Sequence, residues 1–331
     1  MIPNRMPTHV VVGVDDHGSA DDALDWATAE AAARGCPLRL VHAFQPPLPA
    51  DPYGAVPATG GIPLAWAEAD EVLARAMARA RSVAPDIHVT TRLRQASAAR
   101  ALLDEARDAR LLVLGRRSRR GLRGLLSRSV TGQVAARSGC PVVVIRTSRG
   151  LDASSSLLPR VVVGVDAAES CTPAVGYAFQ AAHQRGVPLI AVHAWSPDPP
   201  ADLEAVTAPA ALAEARAGDT LERALDRWQS EFPSVSAHAA LVRGDPAHAL
   251  IGQSRGAALL VVGTRRRGQV MRTVRGSVSL TVLRHAQSPV AIIRHGSTVT
   301  SRSPASPGDE QRWARDGAGF RIIPRNRRWP A

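Results

Sequence analysis

The residues of this chain best suited to chemistry come in matched pairs. Asp15 ends the apolar run Val10-Val11-Val12-Gly13-Val14, and Asp166 ends an identical run, Val161-Val162-Val163-Gly164-Val165. A glycine ends a second kind of run, Leu111–Gly115 in one place and Leu259–Gly263 in the other. After each glycine comes a basic loop that leads into a helical pattern. In an open parallel sheet, ligands bind outside the carboxyl ends of the strands, where the strand order reverses, and both features fall there. Backbone N–H groups in such a loop, and at the helix N-terminus behind it, form a seat for phosphate. Ser129 and Thr131 flank Val130 at one helix start, and Ser277 and Ser279 flank Val278 at the other. These hydroxyls are expected to cap the helix and to add donors.

Each feature also has a plain structural reading. Asp15 and Asp166 could serve as N-caps of the helices that follow them. His42 and His193 recur at matched places, but each lies inside an apolar strand, which suits a core histidine with one hydrogen-bond partner better than a catalyst or ligand. The runs Arg116-Arg117-Ser118-Arg119-Arg120 and Arg265-Arg266-Arg267 are either solvated surface or phosphate contacts beside the seat. No H-x3-H or C-x2-C pair offers metal-ligand spacing. No Ser, Cys or Thr nucleophile stands with a matching histidine and acid, so no catalytic residue is assigned.

These pairs are part of a larger repeat. From Val10 to Phe44 the chain matches Val161 to Trp195 without a gap, with 17 identities in 35 columns. A unit this long is a duplicated domain and not a solenoid repeat. The 331 residues hold two such domains, expected at 7–147 and 160–295, with a linker at 148–159. Aromatics make up 4% of the chain, so the cores must be built from Ala, Val, Leu and Ile. The net charge is +12, and all 41 basic residues are Arg. A basic surface favours anionic ligands, although a GC-rich genome would produce part of the same bias.

Within each copy, short apolar runs alternate with Ala-rich segments of period 3.6, the pattern of βαβ units and a parallel sheet. The expected strands of the first copy are His9–Val14, Leu38–Phe44, Ile87–Leu93, Leu111–Gly115 and Val142–Ile145. Its first helix runs from Ser19 to Arg34 and ends at Gly35. Gln45–Pro63 and Ser196–Pro209 are expected as exposed loops after the second strand of each copy. The tail 296–331, rich in Ser, Pro, Gly and Arg, is expected to be disordered. The fold class is α/β: two tandem open parallel five-stranded sheets, doubly wound and flanked by helices. No apolar stretch approaches a membrane span, and Cys36, Cys140 and Cys171 read as buried free thiols, so a cytoplasmic protein without a membrane partner is expected.

The Val-Gly-Val-Asp opening, the Leu-Val-His-Ala second strand and the loop after strand four together resemble the universal stress protein family, over roughly 290 residues. The resemblance implies an adenine-nucleotide alpha hydrolase-like fold and, in ATP-binding members, a loop reading G-x2-G-x9-G-[ST]. The second copy keeps Gly263, Gly276 and Ser277 at that spacing, with Arg266 at the middle glycine. The first copy keeps Gly115 and Ser129, with Ser118 and Arg128 at the other two glycines. By the resemblance, Asp15 and Asp166 line the nucleotide site, Ala43 and Ala194 offer backbone to adenine, and the loop after strand four holds the phosphates, with Mg²⁺ as the accompanying ion. The resemblance also implies that the two copies pair through their last strands as an intrachain pseudo-dimer; a homodimer is a further option.

Three functions follow from these readings. The first is a stress-response module that binds ATP, does not turn it over rapidly, and signals to a protein partner still to be identified. The second is an interaction module of the same fold without nucleotide. The third, a nucleic-acid binder, would use the Arg-rich loops and the tail, where Arg312, Trp313, Phe320, Arg321 and Trp329 mix cations with aromatics; a solvated tail explains that composition better.

Overall fold

A computed structural model describes residues 9–16, 20–44, 61–116, 129–146, 158–166, 172–195, 210–264, 278–294 and 321–323. The chain divides into two compact units, Met1–Gly150 and Leu151–Ala331. Unit 1 has strands β1 (His9–Gly13), β2 (Leu38–Phe44), β3 (Val89–Gln95), β4 (Ala109–Arg116) and β5 (Val142–Arg146). Its helices are α1 (Asp21–Ala33), α2 (Gly61–Val83), α3 (Ala98–Glu105) and α4 (Val130–Arg137). All four strand pairings are parallel and give the order β5-β4-β1-β2-β3. A central parallel strand is covered on both faces, which is why β1 and β4 read as unbroken Val and Leu runs. Val10, Val11, Val12, Leu111, Leu112 and Val113 are fully buried.

Unit 2 repeats the plan with β6 (Arg160–Gly164), β7 (Leu189–Trp195), β8 (Ala237–Arg243), β9 (Ala257–Thr264) and β10 (Val290–Arg294). Its helices are α5 (Thr172–Arg185), α6 (Ala210–Gln229), α7 (Pro246–Gln253) and α8 (Val278–His285). Its five strands are again parallel, in the order β8-β7-β6-β9-β10. The expected pair of five-stranded parallel sheets is therefore present. One strand was not expected: β11 (Arg321–Ile323), in the tail, pairs antiparallel with β8, Ile322 opposite Ala240. Within its unit's parallel order β8 is the outermost strand, and the N–H and C=O groups on an outer edge invite such a partner.

The glycine that closes the first helix behaves as its sequence position requires. Gly35 has φ +58°, its N–H donates to Ala32 carbonyl at 3.0 Å, and Cys36 N–H donates to Ala31 carbonyl at 3.0 Å. These are the two bonds of a Schellman cap, which needs a residue that tolerates positive φ. Gly186 does the same at the end of α5, with φ +61°, its N–H donating to His183 carbonyl and Val187 N–H donating to Ala182 carbonyl.

Several boundaries shift by one or two residues from the sequence reading, α1 to Asp21–Ala33 and β4 to Ala109–Arg116 among them, and two of the shifts have a plain cause. α2 begins at Gly61, so the expected loop through Pro63 ends earlier. Proline fits a helix's first turn because the N–H it lacks there has no intrahelical acceptor. β3 is displaced two residues, to Val89–Gln95, and ends in Arg94 and Gln95 because as the outer strand of its sheet it need not be apolar. No described helix is long and apolar enough to cross a membrane.

Candidate functional site

The strand order of each unit reverses between its first and fourth strands. In unit 1 the chain steps from β1 to β2 to β3 on one side, while β4 and β5 lie on the other. Val12 lies opposite Val113, so the continuing register brings Val14 beside Gly115. Asp15 is thus the second residue past β1 at the reversal, and Gly115 is the next-to-last residue of β4. Unit 2 matches this arrangement: Gly164 lies opposite Val262, which brings Val165 and Asp166 beside Gly263. Both aspartates and both glycines are half-buried. The paired features of the sequence therefore meet at one place in each unit.

Neither aspartate is an N-cap residue. The residue preceding α1 is Ala20, and α5 begins at Thr172, so both aspartates sit well upstream of the helix that follows. At the other helix start, Ser129 is the N-cap of α4, and its hydroxyl oxygen accepts from Gly132 N–H at 3.1 Å. Thr131 is a buried residue within the first turn and Val130 is exposed, so of the expected capping pair only Ser129 caps. Ser279 differs from the expectation as well. It lies inside α8, and its hydroxyl donates to Gly263 carbonyl at 3.3 Å, tying the helix start to the end of β9. As the second residue of α8 it lies past the N-cap position, from which a side-chain oxygen accepts from the first-turn N–H groups. Val278 opens α8 and is half-buried. Arg266, Gly276 and Ser277, with Ser118 and Arg128, lie outside the described residues.

Ala43 and Ala194 stand at the carboxyl ends of β2 and β7, beside Arg94 and Val242 respectively. The residue before each is a histidine with a backbone partner. His42 Nδ1 bonds Val14 carbonyl at 3.0 Å, and His193 Nδ1 bonds Val165 carbonyl at 2.8 Å. Both rings have the single partner expected of them, but they are half-buried and not core, and the carbonyl they hold belongs to the residue just before the aspartate. Past Ala43, Phe44 meets Trp66 of α2 edge to face, with centroids 4.7 Å apart. The sequence reading passed over this pair; aromatics on either side of a long loop, in a chain so poor in them, were the available signal.

The groups with displaced pKa values belong to structure. Burial pushes His9 below its ordinary value, with Arg39 adding to the effect. Burial raises the Cys36 thiol and drives Cys140 up to about 11. His9 opens β1, while Cys36 and Cys140 precede β2 and β5, so all three lie at the edge of the sheet away from the site. Cys140 is buried as expected, Cys36 only half-buried, and Cys171 lies outside the described residues. For Glu105, burial works to raise the pKa, but hydrogen bonds from Arg94 and Arg39 outweigh it and hold the carboxyl below its ordinary value.

The arrangement defines a doubly wound α/β protein in which each of two repeated sheets has a switch point between its first and fourth strands. The family model described as the universal stress protein family matches residues 6–146 and again 158–294. The chain belongs to the universal stress protein family. It is 34% identical over 294 residues to a universal stress protein of Mycobacterium tuberculosis, covering 86% of this chain and 96% of that one. A second protein of that family from the same organism is 32% identical over 296 residues, covering 87% and 97%. The crystal structure of a universal stress protein from Archaeoglobus fulgidus superposes with a TM-score of 0.64 at 18% identity, covering 88% of this chain and 97% of that one, a likeness of fold.

Proposed function

We propose that this protein is a regulatory module that binds ATP at the switch-point crevices and works by changing shape or partner, without rapid turnover. The observation that carries the reading is the convergence, in each unit, of an aspartate two residues past the first strand with a glycine next to the end of the fourth, from which the chain runs on to a helix N-terminus. The helix start supplies partial positive charge and N–H donors for phosphate. The Ser129 hydroxyl oxygen accepts from Gly132 N–H and so fixes the start of α4 beside the proposed seat. Asp15 and Asp166 suit the ribose hydroxyls or a Mg²⁺ ion on the phosphates. Among the described residues, His9, Cys36 and Cys140, three groups with displaced pKa values, lie at the opposite edge of the sheet, which favours a binding role over catalysis.

The two sites should differ. Phosphate approaches a backbone closely only where no side chain intrudes, and the second copy has Gly276 where the first has Arg128. A non-glycine residue forced to positive φ costs about 1–2 kcal/mol, or about tenfold in affinity. Native mass spectrometry of freshly purified protein should find co-purifying adenine nucleotide, and calorimetry with ATP and Mg²⁺ should find one site clearly tighter than the other. Gly276→Arg should remove most of that binding, and Arg128→Gly should strengthen the weaker site. Wild-type binding that survives Gly276→Arg would overturn the phosphate seat. No binding at all would favour the interaction module without nucleotide, for which the substituted glycines of both copies speak.

A further inference from the structure

The repeated histidines stop two β-ladders at the same step. In a parallel pair, one residue's N–H donates to the neighbouring strand, and its carbonyl accepts from the neighbour's N–H two residues further along. Val14 N–H donates to Val41 carbonyl at 3.0 Å, so the next bond due is from Ala43 N–H to Val14 carbonyl. That bond is not formed. The donor at Val14 carbonyl is His42 Nδ1, at 3.0 Å. Unit 2 repeats the substitution. Val165 N–H donates to Val192 carbonyl at 2.8 Å, the bond from Ala194 N–H to Val165 carbonyl is absent, and His193 Nδ1 takes its place at 2.8 Å.

The acceptor is a carbonyl oxygen, so each ring must carry a proton on Nδ1. One hydrogen bond to the carbonyl replaces another, and the N–H of a half-buried alanine is left without a backbone acceptor on the first strand. A leucine or valine in place of the histidine would offer no donor, and the ladder would close by one more bond.

We propose that His42 and His193 are positioning residues that end the ladder one bond early and hold the N–H groups of Ala43 and Ala194 open for a ring-nitrogen acceptor of a nucleotide base. The same bond fixes the peptide that leads into Asp15 or Asp166, so one side chain sets two contacts of the crevice. The choice of ligand rests on the nucleotide reading above; the ladder stop does not.

Amide exchange followed by NMR on the full-length protein, without nucleotide, separates the two. In the wild type, Ala43 and Ala194 amides should exchange at least about tenfold faster than those of Val41 and Val192. Ring nitrogen shifts should show Nδ1 protonated in both histidines. His42→Leu and His193→Leu should close the ladder and slow exchange at the following alanine by about tenfold or more. His42→Asn and His193→Asn should keep it fast, because the asparagine Nδ2 can stand where Nδ1 stood. ATP affinity should follow the same order, falling about tenfold for leucine and little for asparagine. Protected Ala43 and Ala194 amides in the wild type would overturn the proposal without any variant, even if the leucine variants fail to fold. So would leucine and asparagine variants that behave alike, or leucine variants that bind ATP as the wild type does. If the exchange pattern appears but the wild type binds no ATP, the ladder stop is upheld and the nucleotide reading fails.

Discussion

Glu105, at the end of α3, shows how a charge is kept inside unit 1. Its side chain is 3% exposed and pairs with Arg39 of β2 at 2.9 Å and with Arg94 of β3. Two guanidinium groups satisfy a carboxylate that burial alone would neutralise. Removing the carboxylate charge leaves Arg39 beside an apolar interior without its counter-ion, a loss that costs about 3 kcal/mol when a buried pair is broken. Glu105→Gln should lower the stability of unit 1 by roughly that amount at pH 7, read from denaturant unfolding; an unchanged midpoint would mean that solvent already screens the cluster. No single-sequence pattern reveals such a cluster, because Arg39 and Glu105 are 66 positions apart. The two copies did carry a signal. The matching positions of unit 2 are Ile190, Val242 and Gln253, three changes that remove every charge together. Asp15, Gly115 and Ser129 were legible for the opposite reason: strand ends and helix starts are local patterns, and topology then brings them together.

At the level of helices, the two units join their first two helices by different means. In unit 1, α1 and α2 are joined by Arg79, whose guanidinium donates two bonds to Asp25, each at 2.7 Å, in an exposed pair. In unit 2 the place of Asp25 is Gly176, and Trp228 of α6 lies against it. A Cβ at Gly176 would stand 2.5 Å from the indole ring. The indole in turn neighbours Phe232, which stacks on the fully buried Phe179. Gly176 therefore allows close helix approach, although glycine inside a helix costs about 1 kcal/mol against alanine. For Gly176→Ala the clash and the propensity gain oppose each other, and overpacking costs about 1–3 kcal/mol. The net effect should be a loss of about 1–2 kcal/mol in unit 2, whereas Asp25→Ala in unit 1 should lose under about 1 kcal/mol. Thermal unfolding of the two variants checks the order; a stabilised Gly176→Ala would show that Trp228 swings aside freely. The helices themselves were readable from Ala-rich periodicity and their glycine stops. The means of joining them was not, since Asp25 and Gly176 look alike as small residues on an alanine-rich face.

At the scale of the whole molecule, the two units share one topology but carry different titratable groups at matched places. Two titrating groups with displaced pKa values, His9 and Glu105, both lie in unit 1. Their counterparts in unit 2 are Arg160 and Gln253. Glutamine does not titrate, and arginine stays charged over this range. Arg160 is moreover built in as a cation, donating to Arg255 carbonyl at 3.1 Å just past α7, where the helix's negative end favours it. His9 and Glu105 share one sign. Each has its folded pKa held below the ordinary value, 6.5 for His9 and 4.5 for Glu105. A group of that kind binds protons more readily in the unfolded chain, so its contribution to stability is full above the unfolded pKa and is lost as pH falls toward and through the folded one. For His9 the loss sets in below about pH 6.5, and for Glu105 below about pH 4.5. Acidification should therefore weaken unit 1 in two stages while leaving unit 2 without either. Hydrogen exchange by mass spectrometry, with peptides assigned to each unit, should show β1, β2 and α3 losing protection between pH 7 and 4 ahead of β6, β7 and α7. His9→Arg, which installs the residue unit 2 uses at that place, should remove the first stage and leave the second. Equal loss of protection in both units at every pH would show that these two groups do not set the acid response.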